Sequence, residues 1–428
     1  MIVETLQLLS IVIYHNIHLL FFFFMFFTLT SHVLIKYHSR KYRSYQSDRK
    51  RKVTVVVPVY AENHELFEKC LKSIADQNPD QLIVCLDGKD GRLAAIASTY
   101  AELYRSETRR GKRQALVEGC RRARNEIVVN IDSDVILEPA CLDEITKPFD
   151  DPEIVAVSAW HTSTPSSSGI SSAMSRLIEA NRIVNDMGLN EGLVVVDGRC
   201  AAWRREFLLS VSDEFLNERW LGVRGMIGDD RFLSRQALKK GFKTVIQSTA
   251  KILTRAPDSF SEFLKQQIRW RRSGTKFFLK DLYENVSPSF TYRYKCFTYY
   301  TRSYVLAAVI ILDWFFFRLP FYWWAWAWWQ ALIIAIIGAT MVTALLQTIY
   351  HGKPLEILWL PVQAILSLFV MLPLNIYAGL TAWRQDNWMS RGDSNGISIS
   401  SVVLFAISLM ISLASVFPFF VVESIVYE

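Results

Sequence analysis

The chain has 428 residues, 51% of them hydrophobic and 13% aromatic, and a formal net charge of +7. Apolar residues concentrate at the two ends while most of the charge lies between residues 36 and 300, which excludes a simple soluble protein and leaves one globular domain joined to several membrane spans. No nucleic-acid partner is expected, because the basic excess abuts an apolar helix and anionic headgroups account for it.

The stretch from Leu8 to Leu34 contains LLFFFFMFFTL and exceeds the about 20 residues that a helix needs to cross hydrocarbon. It has no basic segment in front and no small-residue cleavage site behind, so residues 1–36 read as a retained anchor instead of a signal peptide. Arg40, Lys41, Arg43, Arg49, Lys50, Arg51 and Lys52 follow, and the positive-inside rule places them in the cytosol. Residues 37–286 then form a cytosolic domain.

Within it the apolar runs 53–60 (VTVVVPVY), 82–86 (LIVCL), 127–131 (IVVNI) and 154–157 (IVAV) predict parallel strands buried on both faces. Residues 65–75 and 112–123 predict helices between the first three. This order makes an α/β nucleotide-binding sheet, mostly parallel, whose ligands lie beyond the carboxyl ends of its strands. Cys70, Cys85, Cys120, Cys141, Cys200 and Cys296 show no paired metal-ligand spacing and are expected to be reduced thiols.

After Ser289 the run FTYRYKCFTYYTRSY mixes aromatic and basic residues, so residues 287–301 predict an amphipathic helix in the membrane interface. Residues 302–350 predict two transmembrane helices. The stretch 355–383 is apolar yet interrupted by Pro361 and Pro373 and flanked by Lys353, Arg384 and Arg391, so residues 351–396 predict an interfacial or re-entrant segment that carries the loop at Trp388. Residues 397–428 hold the last span, and four spans leave both termini outside. Asp313, inside a span, is expected to pair with Arg302 or Arg318 or to face a wet passage. Trp323, Trp324, Trp326, Trp328 and Trp329 are candidates for stacking sugar rings in a channel, although an interfacial aromatic belt is the safer reading.

Several polar residues follow the predicted strands. Tyr60 and Glu62 end the first, placed to pack against a base and ribose. Asp87 ends the second. Gly111-Lys112-Arg113 offers Lys112 to phosphates, although a solvated basic patch has the same composition. Asp132-Ser133-Asp134 follows the third strand, and alternating carboxylates there can share one Mg2+ or Mn2+ at about 2.0–2.2 Å against a diphosphate. Such a pair is common in turns, and its place after a buried strand is what singles it out. Downstream, Asp229 and Asp230 open a helix after Gly228. Asp230 is the candidate general base and Asp229 a candidate cap. Gln266, Arg269 and Trp270 share one helix face.

In this order the segments resemble the processive family 2 glycosyltransferases: hyaluronan synthases, the type 3 pneumococcal capsule synthase, nodulation chitooligosaccharide synthases and, more distantly, cellulose synthases. The resemblance covers almost the whole chain, and the block GDDRFLSRQALKKGFKTVIQS with LKQQIRWRRS is most similar to the hyaluronan and type 3 capsule branch. It implies a cytosolic GT-A domain plus an α-helical transmembrane region at the plasma membrane. It also implies UDP-sugar donors, Mg2+ or Mn2+, membrane lipids as surroundings and a growing polysaccharide as acceptor.

By the same resemblance Asp87 contacts uridine, Asp132 and Asp134 the metal diphosphate, and Asp230 the acceptor hydroxyl. Gln266, Arg269 and Trp270 then meet the acceptor end and diphosphate, and Gly198-Arg199-Cys200 lines the acceptor site. Trp388-Met389-Ser390-Arg391 is similar to a Trp-Gly-Thr-Arg loop that closes over UDP, with Met389 in place of the glycine and Ser390 in place of the threonine. Trp388 would stack and Arg391 would pair with phosphate. The rivals are a dolichol-phosphate-type transferase that adds one sugar to a lipid, and a scaffold that keeps the fold without catalysis.

Overall fold

The computed structural model describes residues 34–35, 37–164, 166–284 and 370–384. The expected anchor up to residue 33, the interfacial segment 287–301, both spans in 302–350 and the last span lie outside the described residues, as do Asp313, the tryptophan cluster, Trp388 and Arg391. Among the described residues no helix is long and apolar enough to cross a membrane. The chain divides into two compact units, one of His38–Cys296 with Ala382–Gly392, the other of Met1–Tyr37, Phe297–Thr381 and Asp393–Glu428.

The first unit is built on an eight-stranded sheet. Strand β1 (Val53–Val59) is buried along its whole length, as its β-branched composition requires. Helix α1 (His64–Ala75) follows, its first turn capped by Asn63, whose side chain accepts from the Leu66 N–H at 3.0 Å. Then come β2 (Gln81–Asp87), α2 (Gly91–Tyr100), β3 (Glu102–Ser106), α3 (Lys112–Arg122) and β4 (Ile127–Ile131). The short β5 (Ile136–Leu137), α4 (Cys141–Thr146) and a 3-10 turn lead to β6 (Ile154–Thr164) and α5 (Gly169–Gly188). The remaining elements are β7 (Cys200–Arg204), α6 (Arg205–Ser210), α7 (Ser212–Leu216), the hairpin β8 (Arg219–Trp220) and β9 (Val223–Arg224), α8 (Asp229–Lys239), β10 (Lys243–Arg255) and α9 (Phe260–Tyr283).

The strand order is β3-β2-β1-β4-β7-β6-β10-β5. β1 to β4 run parallel, and so do β6 and β10, whereas β7 runs against both its neighbours. Pro58 lies opposite Cys85 in the β1–β2 pairing, beyond the point where pairing with β4 ends at Val56 opposite Asn130. The inversion of β7 puts its first residue, Cys200, opposite Ile131, the last of β4. The chain therefore enters β7 at the rim where β4 ends, and Arg199 O accepts from the Asp132 N–H at 3.0 Å.

Gly119 decides how closely α3 packs on the sheet. A side chain there would overlap Val56 of β1 and stand 3.2 Å from Cys85 Sγ of β2. In the second unit, helix α10 (Leu372–Leu380) takes Pro373 in its first turn, where the missing N–H costs nothing, and it buries Leu374, Ile376 and Tyr377.

Candidate active site

The rim where β1, β2 and β4 end carries the candidate residues. Tyr60 is exposed, with the Arg109 guanidinium 4.4 Å above its ring and Gly88 at its edge, where a Cβ would stand 3.8 Å from the ring. Asp87 is buried, and both its oxygens are engaged by backbone N–H groups, from Arg110 at 2.8 Å and Gly111 at 2.7 Å. Its carboxylate thus fixes the loop that starts α3. Gly111 takes φ +89°, a conformation suited to glycine, and α3 begins at Lys112.

Lys112 donates to Asp132 Oδ1. Glu62 reaches the same turn from the end of β1, accepting from Ser133 Oγ at 3.1 Å. Burial pushes the Asp132 carboxyl up, Lys112 opposes the shift and Asp134 adds to it. Burial alone would lower Lys112, but Asp132, Asp229 and Asp230 hold its ammonium above the ordinary range.

Gly228 brings the second acidic pair to this rim. It takes φ +81°, and a Cβ there would overlap Ser273 of α9, so α8 and α9 meet closely at this point. Asp230 lies beside Gly198, where a Cβ would stand 3.5 Å from the Asp230 Cβ. Asp230 also accepts from the Arg231 N–H at 2.8 Å. Asp229 turns the other way: it is buried and accepts from Arg113 Nε at 2.6 Å. Gln266, Arg269 and Trp270 are half-buried on α9. Burial lowers the Arg269 pKa, and the carboxylates of Asp132, Asp229, Asp230 and Asp134 all oppose that shift. One guanidinium is therefore within electrostatic reach of both acidic pairs, which lie almost 100 residues apart in sequence.

The predicted acceptor segment separates into parts. Gly198 faces Asp230, but Arg199 turns inward, where its guanidinium donates to Asp197 at 2.8 Å and to Glu179 at 2.8 Å. Cys200 is fully buried in β7, and hydrogen bonding with Cys141 and burial push its thiol well up. Asp197 is flanked by Arg182 and Arg199, which hold its carboxyl well below the usual range despite burial.

Residues that sequence reading missed form the support of the site. Arg113, the neighbour of Lys112, is buried and joins Asp229 to Glu218 at 2.9 Å. Glu218 also accepts from Lys276 at 3.1 Å and Lys280 at 2.9 Å, both on α9. Burial opposes ionisation of Glu218, yet Lys276, Arg113 and Lys280 pull its pKa down to about 2. Lys276 is itself lowered to about 8 by burial against the attraction of Glu218. No local pattern marks these residues, because their partners come from α3, the hairpin and α9 and meet only in the folded chain.

The donor chemistry of the rim suits a hard divalent cation. Asp132 and Asp134 offer carboxylate oxygens, and an ammonium already rests on Asp132. Among the described residues no group of three or more His, Cys, Asp or Glu side chains closes on one point. Asp132 and Asp134 are the two carboxylates this turn would offer a cation, and phosphate oxygens and water would complete its shell.

The chain is similar to known proteins. An N-acetylglucosaminyltransferase of Rhizobium meliloti is 27% identical over 81% of this chain and 83% of its own length. A hyaluronan synthase of Streptococcus pyogenes serotype M1 is 26% identical over 79% of this chain and 83% of its own. Among solved structures, a mannosyltransferase from Pyrobaculum calidifontis in complex with GDP-Man and Mn2+ superposes with a TM-score of 0.54 at 18% identity, covering 79% of this chain and 95% of that one. Its fold is the GT-A glycosyltransferase fold, as is the sheet described above. Residues 50–273, which run from the start of β1 through the Asp132 turn and Asp230 to Ser273, match the family described as glycosyltransferase like family 2, and the chain belongs to that family.

Proposed function

We propose that the protein is a processive, inverting membrane glycosyltransferase that polymerises UDP-sugars into a β-linked extracellular or capsular polysaccharide and passes it across the plasma membrane. The observation that carries this reading is one rim on which Lys112 bonds Asp132, Asp230 stands beside Gly198, and Arg269 lies within electrostatic reach of both acidic pairs. Similarity to a hyaluronan synthase supports a sugar polymer as product, and similarity to an N-acetylglucosaminyltransferase supports transfer of a hexosamine. The Mn2+ and nucleotide sugar of the mannosyltransferase complex support a metal-assisted diphosphate leaving group.

In this reading Tyr60 and Arg109 border the base, and the loop held by Asp87 borders the uridine. Asp132 and Asp134 would hold Mg2+ or Mn2+, and the bound cation would supply positive charge to the departing diphosphate. Lys112 and Arg269 supply fixed positive charge to the same oxygens. Asp230 takes the proton of the acceptor hydroxyl as that oxygen attacks the anomeric carbon, opposite the leaving group. Gln266, Trp270 and Gly198 flank the acceptor. Trp388 and Arg391 close over the donor, and residues 1–36, 302–350 and 397–428 anchor the enzyme with its catalytic domain in the cytosol. The alternative is a non-processive transferase that adds one sugar to a lipid phosphate.

The test incubates the full-length protein in lipid with single UDP-sugars and pairs of them, follows UDP release and sizes the product. A polymer supports the proposal, and a single-sugar lipid product overturns its processive part. Asp230→Asn is expected to lower kcat by about 10²- to 10⁴-fold with donor KM little changed. Unchanged UDP release in that variant would remove Asp230 from the mechanism.

A further inference from the structure

The hairpin of β8 and β9 breaks three local rules in six residues. Its turn places Leu221 at φ +49° and Gly222 at φ +81°, the two-residue arrangement that favours Asn-Gly, so a leucine occupies a position where its Cβ is disfavoured. That leucine is 72% exposed, the most exposed large apolar side chain among the described residues. Arg219 and Arg224 stand directly opposite one another in the ladder, an unfavourable like-charge pair, and both are exposed. Neither has a carboxylate partner among the described residues; Arg219 donates only to Gly222 O of its own turn, at 3.2 Å. Departures from local preference that nothing in the fold compensates mark sites of function.

The base of the hairpin is rigid by contrast. Gly225 N–H donates to Glu218 O at 2.9 Å, and the Glu218 carboxylate is held by Arg113, Lys276 and Lys280. Trp220 is buried beneath the turn. A stiff finger thus carries an apolar apex with a cation on each side. Lys276 and Lys280 belong to the C-terminal half of α9, which ends at Tyr283 just before the predicted interfacial segment 287–301.

We propose that this hairpin is a membrane-contact finger, with Leu221 entering the headgroup boundary and Arg219 and Arg224 meeting anionic lipid phosphates. An apolar tip flanked by arginines matches an anionic bilayer surface, where the guanidinium groups stay with the phosphates while the leucine leaves water. An acidic polysaccharide would satisfy the arginines but has no use for the leucine. The proposal rests on the membrane reading given under Proposed function, and it adds a second membrane contact besides the anchors.

The test uses the full-length protein in nanodiscs carrying lipids with a nitroxide at the headgroup. A fluorophore is attached in turn at residue 221, at exposed Ile170 as a solvent reference and at Phe24 within the expected anchor. In discs containing phosphatidylglycerol the label at 221 is expected to be quenched several-fold more than the label at 170. That excess is expected to fall in purely phosphatidylcholine discs and in the double variant Arg219→Glu, Arg224→Glu. Quenching at 24 without excess quenching at 221 overturns the finger and leaves the membrane reading intact, whereas absence of quenching at 24 overturns the membrane reading itself. If the double variant shortens the product while quenching at 221 is unchanged, the arginines serve the polymer and the lipid contact is refuted.

Discussion

Among the described glycines, Gly228 is the one where backbone geometry and packing both forbid a side chain. Its φ of +81° lies in the left-handed region, and a Cβ would run into Ser273 and Phe277 of α9. Gly228→Ala is expected to cost about 1–3 kcal/mol and to lower activity more than stability, since α8 would shift with Asp230 at its first turn. A thermal melt alongside UDP release measures both effects, and an unchanged kcat would detach Asp230 from this contact. Glu218 gives a pH signature. Its carboxyl binds a proton more weakly when folded, at about 2, than at the ordinary 4.5. The stability it contributes is therefore complete above about 4.5 and lost as the pH falls toward 2. Acid unfolding monitored by fluorescence should show a shallower loss over that window in Glu218→Gln than in the unaltered protein, from a lower starting stability because three cations lose their partner.

Among the elements, α3 is the most constrained, because Gly119 lets it lie directly on Val56 and Cys85. Gly119→Ala should destabilise the catalytic unit by about 1–3 kcal/mol through overpacking against a central strand that cannot yield, read as a shift in the unfolding midpoint. The same elements show what the sequence discloses and what it conceals. Strands with continuous apolar runs are legible: the expected 53–60, 82–86 and 127–131 correspond to Val53–Val59, Gln81–Asp87 and Ile127–Ile131. β3, with the half-exposed sequence ELYRS, carries no such run and was not anticipated, nor was α2 before it. β7 is small and short, CAAWR, and its antiparallel insertion follows from pairing partners that periodicity does not reveal. The strand seen at 154–157 continues to Thr164 because its later residues pair with β10 instead of forming an apolar run. At the rim, acidic residues after strands were visible one by one. That Asp229 is neutralised by Arg113 while Asp230 faces Gly198 depends on the direction of two adjacent side chains, which spacing alone does not supply.

For the whole molecule, the mixed sheet lets distant stretches of chain meet on one edge. The parallel strands β1, β2 and β4 deliver the residues proposed for the donor, and the reversed β7 brings Gly198 back to the same edge for the acceptor. In the proposed reading Asp132 and Asp134 address the cation, and the nucleotide is expected to complete its shell. Chelation of divalent cations should abolish transfer, and adding Mg2+ or Mn2+ should restore it, measured as UDP release; transfer that persists in excess chelator would remove the metal from the mechanism.

The contact between Lys112 and Asp132 has a bearing on the order of events. The ammonium already answers the charge of the carboxylate proposed as a ligand, so a bare divalent ion would have to compete with a bonded neighbour. A cation chelated by nucleotide would bring phosphate oxygens to which Lys112 could turn, keeping the local charge nearly balanced. On the proposed reading, metal and sugar donor are therefore expected to bind together more tightly than either alone.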